Sequence, residues 1–263
     1  VIISNKIKAL IIIKERVMRI FLSLAMLLSF SVIAQEEKEY KYEPEMNQAE
    51  YYIGHFNKGK DLEDLQEWYG KFAEWAESQG STYDNMTVAL LTPIYHSDLT
   101  SLDVIWANNW PDQIEQYAGL EAWVKGGQEL LKKLPVTNHT VTSTSQMVVS
   151  SPTSVEAGAT MLAVYSDCKL EEGVTMRDAY DSYKDFAIYA KSVGDTVGRK
   201  LIVPNAGYDG DADFIRLLYT SSISAMGVNG KLYWDEIAGS EADKNLSGFS
   251  CSNPREYIGL SMR

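Results

Sequence analysis

Seven prolines, three histidines and two cysteines are spread over 263 residues, and the scarcity of cysteine closes off two classes of protein. Two cysteines are too few for a disulfide-stapled mini-domain or a four-cysteine zinc site. The sequence contains no Gly-rich phosphate loop, no Gly-x-Ser-x-Gly elbow, no His-Glu-x-x-His and no Cys-x-x-Cys, so the chemistries those motifs carry have no foothold in it. Positive charge is short as well: 24 Lys and Arg stand against 36 Asp and Glu, a formal charge of −12. Such a chain repels phosphate backbones and anionic bilayers, which argues against nucleic-acid binding and peripheral membrane attachment.

What is present begins with an export signal. Met18 and Arg19 followed by the apolar stretch Ile20 to Ile33 read as a secretory leader, with Val32 and Ala34 as the small-residue cleavage pattern. The stretch is shorter than the roughly 20 residues that a membrane-spanning helix needs. A cut before Gln35 predicts a periplasmic or secreted protein that leaves the membrane once its signal is removed. Residues 1–34 are therefore expected to comprise an upstream extension and a signal peptide, followed by a disordered segment at 35–46. The leader holds Lys6, Lys8, Lys14, Arg16 and Arg19 against Glu15, so its loss makes the remainder more acidic still. The whole sequence is 45% hydrophobic, and the remainder is long and apolar enough to bury a substantial core.

The organising feature is an internal repeat. Sliding the chain by 114 positions aligns Tyr51 to Thr82 with Tyr165 to Thr196 without a gap, and ten of the 32 pairs are identical. Among them are Tyr51/Tyr165, Gly59/Gly173, Asp64/Asp178, Tyr69/Tyr183, Phe72/Phe186 and Gly80/Gly194. Further on, Pro93 matches Pro204, Asp103 and Ile105 match Asp213 and Ile215, and Gly119-x-x-x-Trp123 matches Gly230-x-x-x-Trp234. This is duplication, and it divides the chain into repeat 1 over 47–150, a linker over 151–159 and repeat 2 over 160–263.

Within each copy, Leu62, Leu65, Tyr69, Phe72 and Ala76, or Met176, Ala179, Tyr183, Phe186 and Ala190, recur at helical spacing. Gly80 and Gly194 follow where a helix end favours a positive φ. Short β-type runs precede each helix, near Tyr51 to Phe56 and Met161 to Ser166. Two more follow it, Thr87 to Tyr95 with Leu102 to Ala107, and Lys200 to Val203 with Phe214 to Tyr219. A second helix is expected in repeat 1, with Pro111 at a first-turn position beside Asp112 and a run to Leu134. Last strands are expected at Val141 to Val149 and Glu256 to Met262. The order β-α-β-β-α-β is a ferredoxin-like unit, present twice. One sheet face of each unit lacks helix cover, and a tandem pair buries both bare faces sheet to sheet. The chain thus resembles the dimeric α+β barrel superfamily, which includes antibiotic-biosynthesis monooxygenases and stress-responsive barrel proteins, fused here as a pseudo-dimer whose repeats pair intramolecularly. With its Gly-x-x-x-x-Asp before the helix and Trp106-x-x-x-Trp110-Pro111, it is also similar to exported proteins of marine bacteria.

A ferredoxin-like sheet has the strand order 4-1-3-2, which sets the end of the first strand beside the start of the fourth. Cys168 and Cys251 occupy those places in repeat 2, so they are expected to form a disulfide rather than two buried thiols. The matching positions of repeat 1 are Gly54 and, within a residue or two, Asn138.

All three histidines fall in repeat 1. His55, His96 and His139 are expected at one end of its sheet with Asp103, a set of imidazole and carboxylate groups of the kind that holds a first-row transition metal; solvated strand ends are the plainer reading. Trp106 and Trp110 flank Asn108, and aromatics with amides are the material of a ligand pocket. The candidate ligand-binding residues are accordingly His55, Trp106, Asn108, Trp110 and His139, against core packing as the alternative. The sequence leaves the cofactor unidentified. Three functions stay open: non-catalytic binding of a small apolar or aromatic ligand in the barrel; the cofactor-free monooxygenase or haem-handling activity that the resemblance implies; and a structural or interaction role.

Overall fold

The computed structural model describes residues 39–152 and 156–263, so the leader lies outside the described residues. Residues Tyr40–Arg263 form one compact unit. Its first half runs β1 (Glu45–Phe56), α1 (Leu62–Glu77), a 3-10 turn (Gly80–Tyr83), β2 (Thr87–Tyr95), β3 (Val104–Trp110), α2 (Gln113–Gly126), α3 (Gln128–Leu131) and β4 (Val136–Ser150). The second runs β5 (Thr160–Leu170), α4 (Met176–Ser192), β6 (Gly198–Ala206), β7 (Phe214–Thr220), α5 (Ile223–Leu232), a π turn (Tyr233–Ile237), α6 (Glu241–Asn245) and β8 (Phe249–Ser261).

Local chemistry explains the helix starts. Asp61 caps α1 and Thr175 caps α4, and in each the Asp three residues on, Asp64 or Asp178, returns a bond to the cap backbone. That reciprocal box satisfies N–H groups with no partner inside the helix, and it accounts for an aspartate shared by both repeats. Gly80 and Gly194 adopt φ of 68° and 105°, as their places after the helices require. Pro111 precedes the helix rather than opening its first turn: Asp112 is the cap, its carboxylate accepting the Glu115 N–H at 2.9 Å.

The eight strands of the described residues close into an antiparallel barrel in the order β1-β3-β2-β8-β5-β7-β6-β4. Each half keeps the ferredoxin-like order, and the seams join the fourth strand of one half to the second strand of the other. Along one seam β8 pairs with β2 from Ala89↔Ser261 to Tyr95↔Glu256. Along the other, β4 pairs with β6 from Ser143↔Ala206 to Ser150↔Arg199. The observed last strands begin earlier than the periodicity suggested because residues 136–140 pair with the end of β1 and residues 249–255 with the end of β5. Edges that would stay open in an isolated half are consumed.

Three apolar layers result. Ala49, Tyr51, Ile105, Ala163, Leu217 and Tyr257, from both halves, fill the barrel. Leu65, Trp68, Phe72, Val104 and Trp106 pack between sheet and helices in repeat 1. Tyr180, Tyr183, Phe186, Leu201, Phe214 and Ile237 do so in repeat 2. Cys168 and Cys251 face each other in the β5–β8 register and are disulfide-bonded; Gly54 and Asn138 face each other at the same place in β1 and β4.

The stretch expected to be disordered, as far as it is described, is tied down. The Lys41 and Tyr42 backbone N–H groups donate to the Asp181 carboxylate at 2.7 and 3.1 Å, and Arg177 donates to the Tyr42 carbonyl at 2.6 Å. Residues 41 and 42 are thereby held on α4, and β1 starts at Glu45, with Glu45 opposite Val148.

Candidate functional site

Strand alternation sends Glu50 and Tyr52 of β1, and Trp106, Asn108 and Trp110 of β3, to the helix side of the repeat 1 sheet. The register places Glu50 beside Asn108 on one flank and Ser143 on the other, and Tyr52 beside Trp106. Above them α1 contributes Trp68 and Phe72, and α2 contributes Gln116. Between sheet and helices lies a cavity of about 100 Å³ with Glu50, Trp68, Trp106, Asn108, Trp110 and Trp123 among its lining residues.

Glu50 is the chemical centre of this cavity. Its Oε1 accepts the Gln116 side-chain N–H at 3.1 Å. Its Oε2 accepts from Asn108 at 3.1 Å, from the Tyr52 hydroxyl at 3.3 Å and from the Trp110 indole at 3.4 Å. Asn108 is itself oriented by the Trp106 indole, which donates to its Oδ1 at 2.5 Å. The carboxylate is buried, all four of its donors are neutral, and among the described residues it belongs to none of the ion pairs. Burial and the neighbouring Glu50 charge push the Tyr52 phenol well above its usual range, and Tyr83 is raised for the same two reasons.

The rings are fixed by one another. Trp106 meets Trp68 and Phe72 edge to face at 5.4 and 5.6 Å, a favourable arrangement of aromatic quadrupoles. The Trp68 indole donates to the Leu130 carbonyl at 2.9 Å, and the Tyr83 hydroxyl to the Gly119 carbonyl at 2.6 Å. Walls held in this way are preorganised rather than collapsible.

Repeat 2 shows what the fold needs without a site. Val164 stands at the position of Glu50, Leu218 at that of Asn108, Arg216 at that of Trp106 and Gly227 at that of Gln116. Where Gly54 and Asn138 meet in repeat 1, the disulfide fills the layer together with Phe214 and Phe249.

Of the sequence-derived candidates, Trp106, Asn108 and Trp110 are brought together around this cavity, on the outside of the barrel wall. His55 and His139 are not among its lining residues. They sit together at the strand ends, rings 5.3 Å apart, with Asp103 at 3.4 Å from His55 Nδ1. His96 packs on the Tyr257 ring at 6.0 Å, and its Nδ1 accepts the Asp98 N–H, so it does not complete the set. Asp103 accepts the Phe56 N–H at 2.9 Å, and its counterpart Asp213 accepts the Leu170 N–H at 2.7 Å beside Lys169. The same carboxylate thus fastens the same corner in both repeats, with histidine in one and lysine in the other. Among the described residues no group of three or more His, Cys, Asp or Glu side chains is arranged to hold a metal ion.

Sequence reasoning missed Glu50, Gln116 and the helix-borne Trp68 and Phe72. The signal for Glu50 was present: a carboxylate alternating with Tyr52 on a strand whose duplicate has valine at that position. Gln116 had no such signal, because its role depends on how α2 crosses the sheet.

A second cavity, of about 480 Å³, opens at one end of the barrel, with Asn47, Tyr51, Tyr165, Lys200 and Tyr219 on its walls. The Lys200 ammonium donates to Gln146 at 2.8 Å and to Asn47 at 3.0 Å, and burial pushes its pKa down to about 8. Haem fits neither helix layer. The repeat 1 cavity is smaller than the roughly 150 Å³ that takes a benzene ring, it is lined by no histidine or cysteine, and the matching layer of repeat 2 packs Tyr183, Phe186, Leu201, Phe214 and the disulfide together.

No family profile and no curated protein sequence matches the chain. Among solved structures it is similar to an anthrone oxidase-like protein, at 11% identity and a TM-score of 0.48, over 86% of this chain and 94% of that one. It is also similar to a chlorite dismutase variant from Candidatus Nitrospira defluvii in complex with cyanide, at 13% identity and a TM-score of 0.46, over 84% of this chain and 92% of that one. A dye-decolorizing peroxidase from Bacteroides thetaiotaomicron shares 8% identity at a TM-score of 0.44, over 86% and 95%. These are likenesses of fold.

Proposed function

We propose that the protein binds a small molecule without transforming it, and that the site is the helix-side cavity of repeat 1. The observation that carries this reading is the asymmetry of the duplication. One copy of the layer has Val164, Leu218 and Gly227 with a disulfide beside them, while the other keeps an aromatic-walled space around a buried carboxylate. A buried polar network costs stability unless each member is satisfied, and repeat 2 builds the same architecture without this carboxylate and its amides. The enzymatic alternative would need Glu50 as a base, and both of its oxygens are already engaged by fixed donors, an arrangement suited to holding charge in place.

A second reading keeps the ligand inside the barrel. It is favoured by the barrel cavity, whose volume falls within the range of about 300–1,000 Å³ common for ligand sites, and by the Lys200 ammonium on its wall. The disulfide supports action in an oxidising compartment, in keeping with the export signal, and cell fractionation checks this directly.

Amide spectra of the purified protein test the location. Addition of millimolar tetramethylammonium or 3,3-dimethylbutan-1-ol should shift the indole N–H signals of Trp68, Trp106 and Trp123. Trp234, 76% exposed on repeat 2, should stay in place. If both probes leave all the indole signals unmoved, the helix-side reading is wrong.

A further inference from the structure

The same cavity combines a buried carboxylate with aromatic side chains. Resting on the reading of it as a ligand site, we propose that its occupant is a small organic cation, an alkylammonium or methylated ammonium head group for which Glu50 is the counter-ion.

Three observations converge on this. First, the Glu50 carboxylate is buried and, among the described residues, belongs to none of the ion pairs. Its donors, Gln116, Asn108, Tyr52 and Trp110, satisfy its lone pairs but bring no positive charge. Second, the rings of Trp68, Trp106, Trp110 and Trp123, with Phe72 and Tyr83, line the cavity alongside aliphatic side chains. Aromatic faces carry negative quadrupole potential and attract cations, most of all alkylated ammonium groups that shed water readily. Carboxylate and rings therefore make one cavity hostile to anions and receptive to a cation. Third, a cavity of about 100 Å³ admits a compact head group rather than a large ligand.

The surroundings agree. Leu120 and Leu131, both lining residues, are also exposed at 41% and 45%, so they form a mouth through which a head group enters and past which a longer tail extends. A formal charge of −12 raises the local concentration of cations around the chain. In repeat 2, loss of the carboxylate coincides with loss of the amides that support it, as Val164, Leu218 and Gly227. That joint replacement is what a single-purpose site predicts.

The test compares a cation with its neutral isostere. Tetramethylammonium and choline are titrated against 3,3-dimethylbutan-1-ol, which replaces the charged nitrogen of choline by carbon, with tryptophan emission and calorimetry as readouts. The expected result is at least tenfold tighter binding of choline than of the isostere, and at least a tenfold loss for choline in Glu50→Gln. Equal affinity for choline and the alcohol overturns the cation assignment while leaving a ligand site in place. Cation binding untouched by Glu50→Gln places the cation elsewhere and overturns it too. If neither probe binds, the site itself fails along with the assignment. Should Glu50→Gln not fold, the isostere comparison on the unaltered protein decides alone.

Discussion

Tyr51 and Tyr165 occupy the same position in the two repeats and meet inside the barrel, ring edge against ring face with centroids 6.0 Å apart. A residue that duplication made identical thus became its own packing partner once the halves closed on each other. Tyr51 also binds the Gln146 side chain at 2.7 Å, and burial pushes its phenol up to about 12. The centre of the barrel is therefore a junction of halves, and single-chain fusion lets each side of it change independently.

The disulfide is the first feature to test. Cys168 and Cys251 are 83 residues apart in sequence, so the bridge restricts a long loop in the unfolded chain. Replacing both cysteines by serine should lower unfolding free energy by about 2–4 kcal/mol, measured by urea titration. Alkylation of the unreduced protein, followed by intact mass, should find no reactive thiol.

Two glycines at matching positions should respond in opposite directions to alanine. A Cβ on Gly119 would run into the Trp110 ring, whereas Gly230 has nothing within 4 Å. Overpacking costs about 1–3 kcal/mol, and the better helix propensity of alanine returns up to about 1 kcal/mol. Gly119→Ala should therefore destabilise by up to about 2 kcal/mol and alter tryptophan emission. Gly230→Ala, without a clash, should stabilise by about 0.5–1 kcal/mol in the same urea assay.

Repeat 2 carries a buried ion pair where a broken partnership is costly. Arg199 meets both oxygens of Asp195, at 2.7 and 2.9 Å, with both side chains under 8% exposed. Asp195→Ala strands a buried guanidinium and should cost about 3–5 kcal/mol. The double variant Asp195→Ala with Arg199→Met should recover much of that loss, and a double-mutant cycle by denaturant unfolding measures the coupling.

Lys200 makes stability depend on pH with a definite sign. Its folded-state value of about 8 lies below the usual value of about 10.4, so between those limits the unfolded chain holds more protons. The contribution of Lys200 to stability is therefore level below about pH 8 and rises from there towards about pH 10.4. Buried tyrosines act oppositely above about pH 10, because the folded state keeps phenolic protons that the unfolded chain releases. The difference in unfolding free energy between the unaltered protein and Lys200→Met isolates the lysine; a flat difference from pH 7 to 10 would refute the assignment.

Much of this was legible in residue order. Helical periodicity gave α1 and α4, the shared Gly80 and Gly194 marked the turns after them, and the duplication with strand order paired Cys168 with Cys251. Trp106, Asn108 and Trp110 could be grouped because alternate residues of one strand share a face. What was missed involves contacts between elements: Gln116 over Glu50, Trp68 against Trp106, and Tyr42 on Asp181 and Asp185. The metal set showed the limit of topology, since it brought His55, His139 and Asp103 to one corner but could not say that Asp103 was already fastening the strand end.

The sequence alone determined the period of each segment, the duplication and the pairing of the cysteines, because these depend on spacing along one chain and on a sheet order that duplication enforces. Only the tertiary structure decided which strands form the seams of the expected barrel, and that the repeat 1 helix layer would keep a hollow around a buried carboxylate. Closure and cavity volume depend on how side chains from distant elements occupy shared space, and no local pattern carries that information.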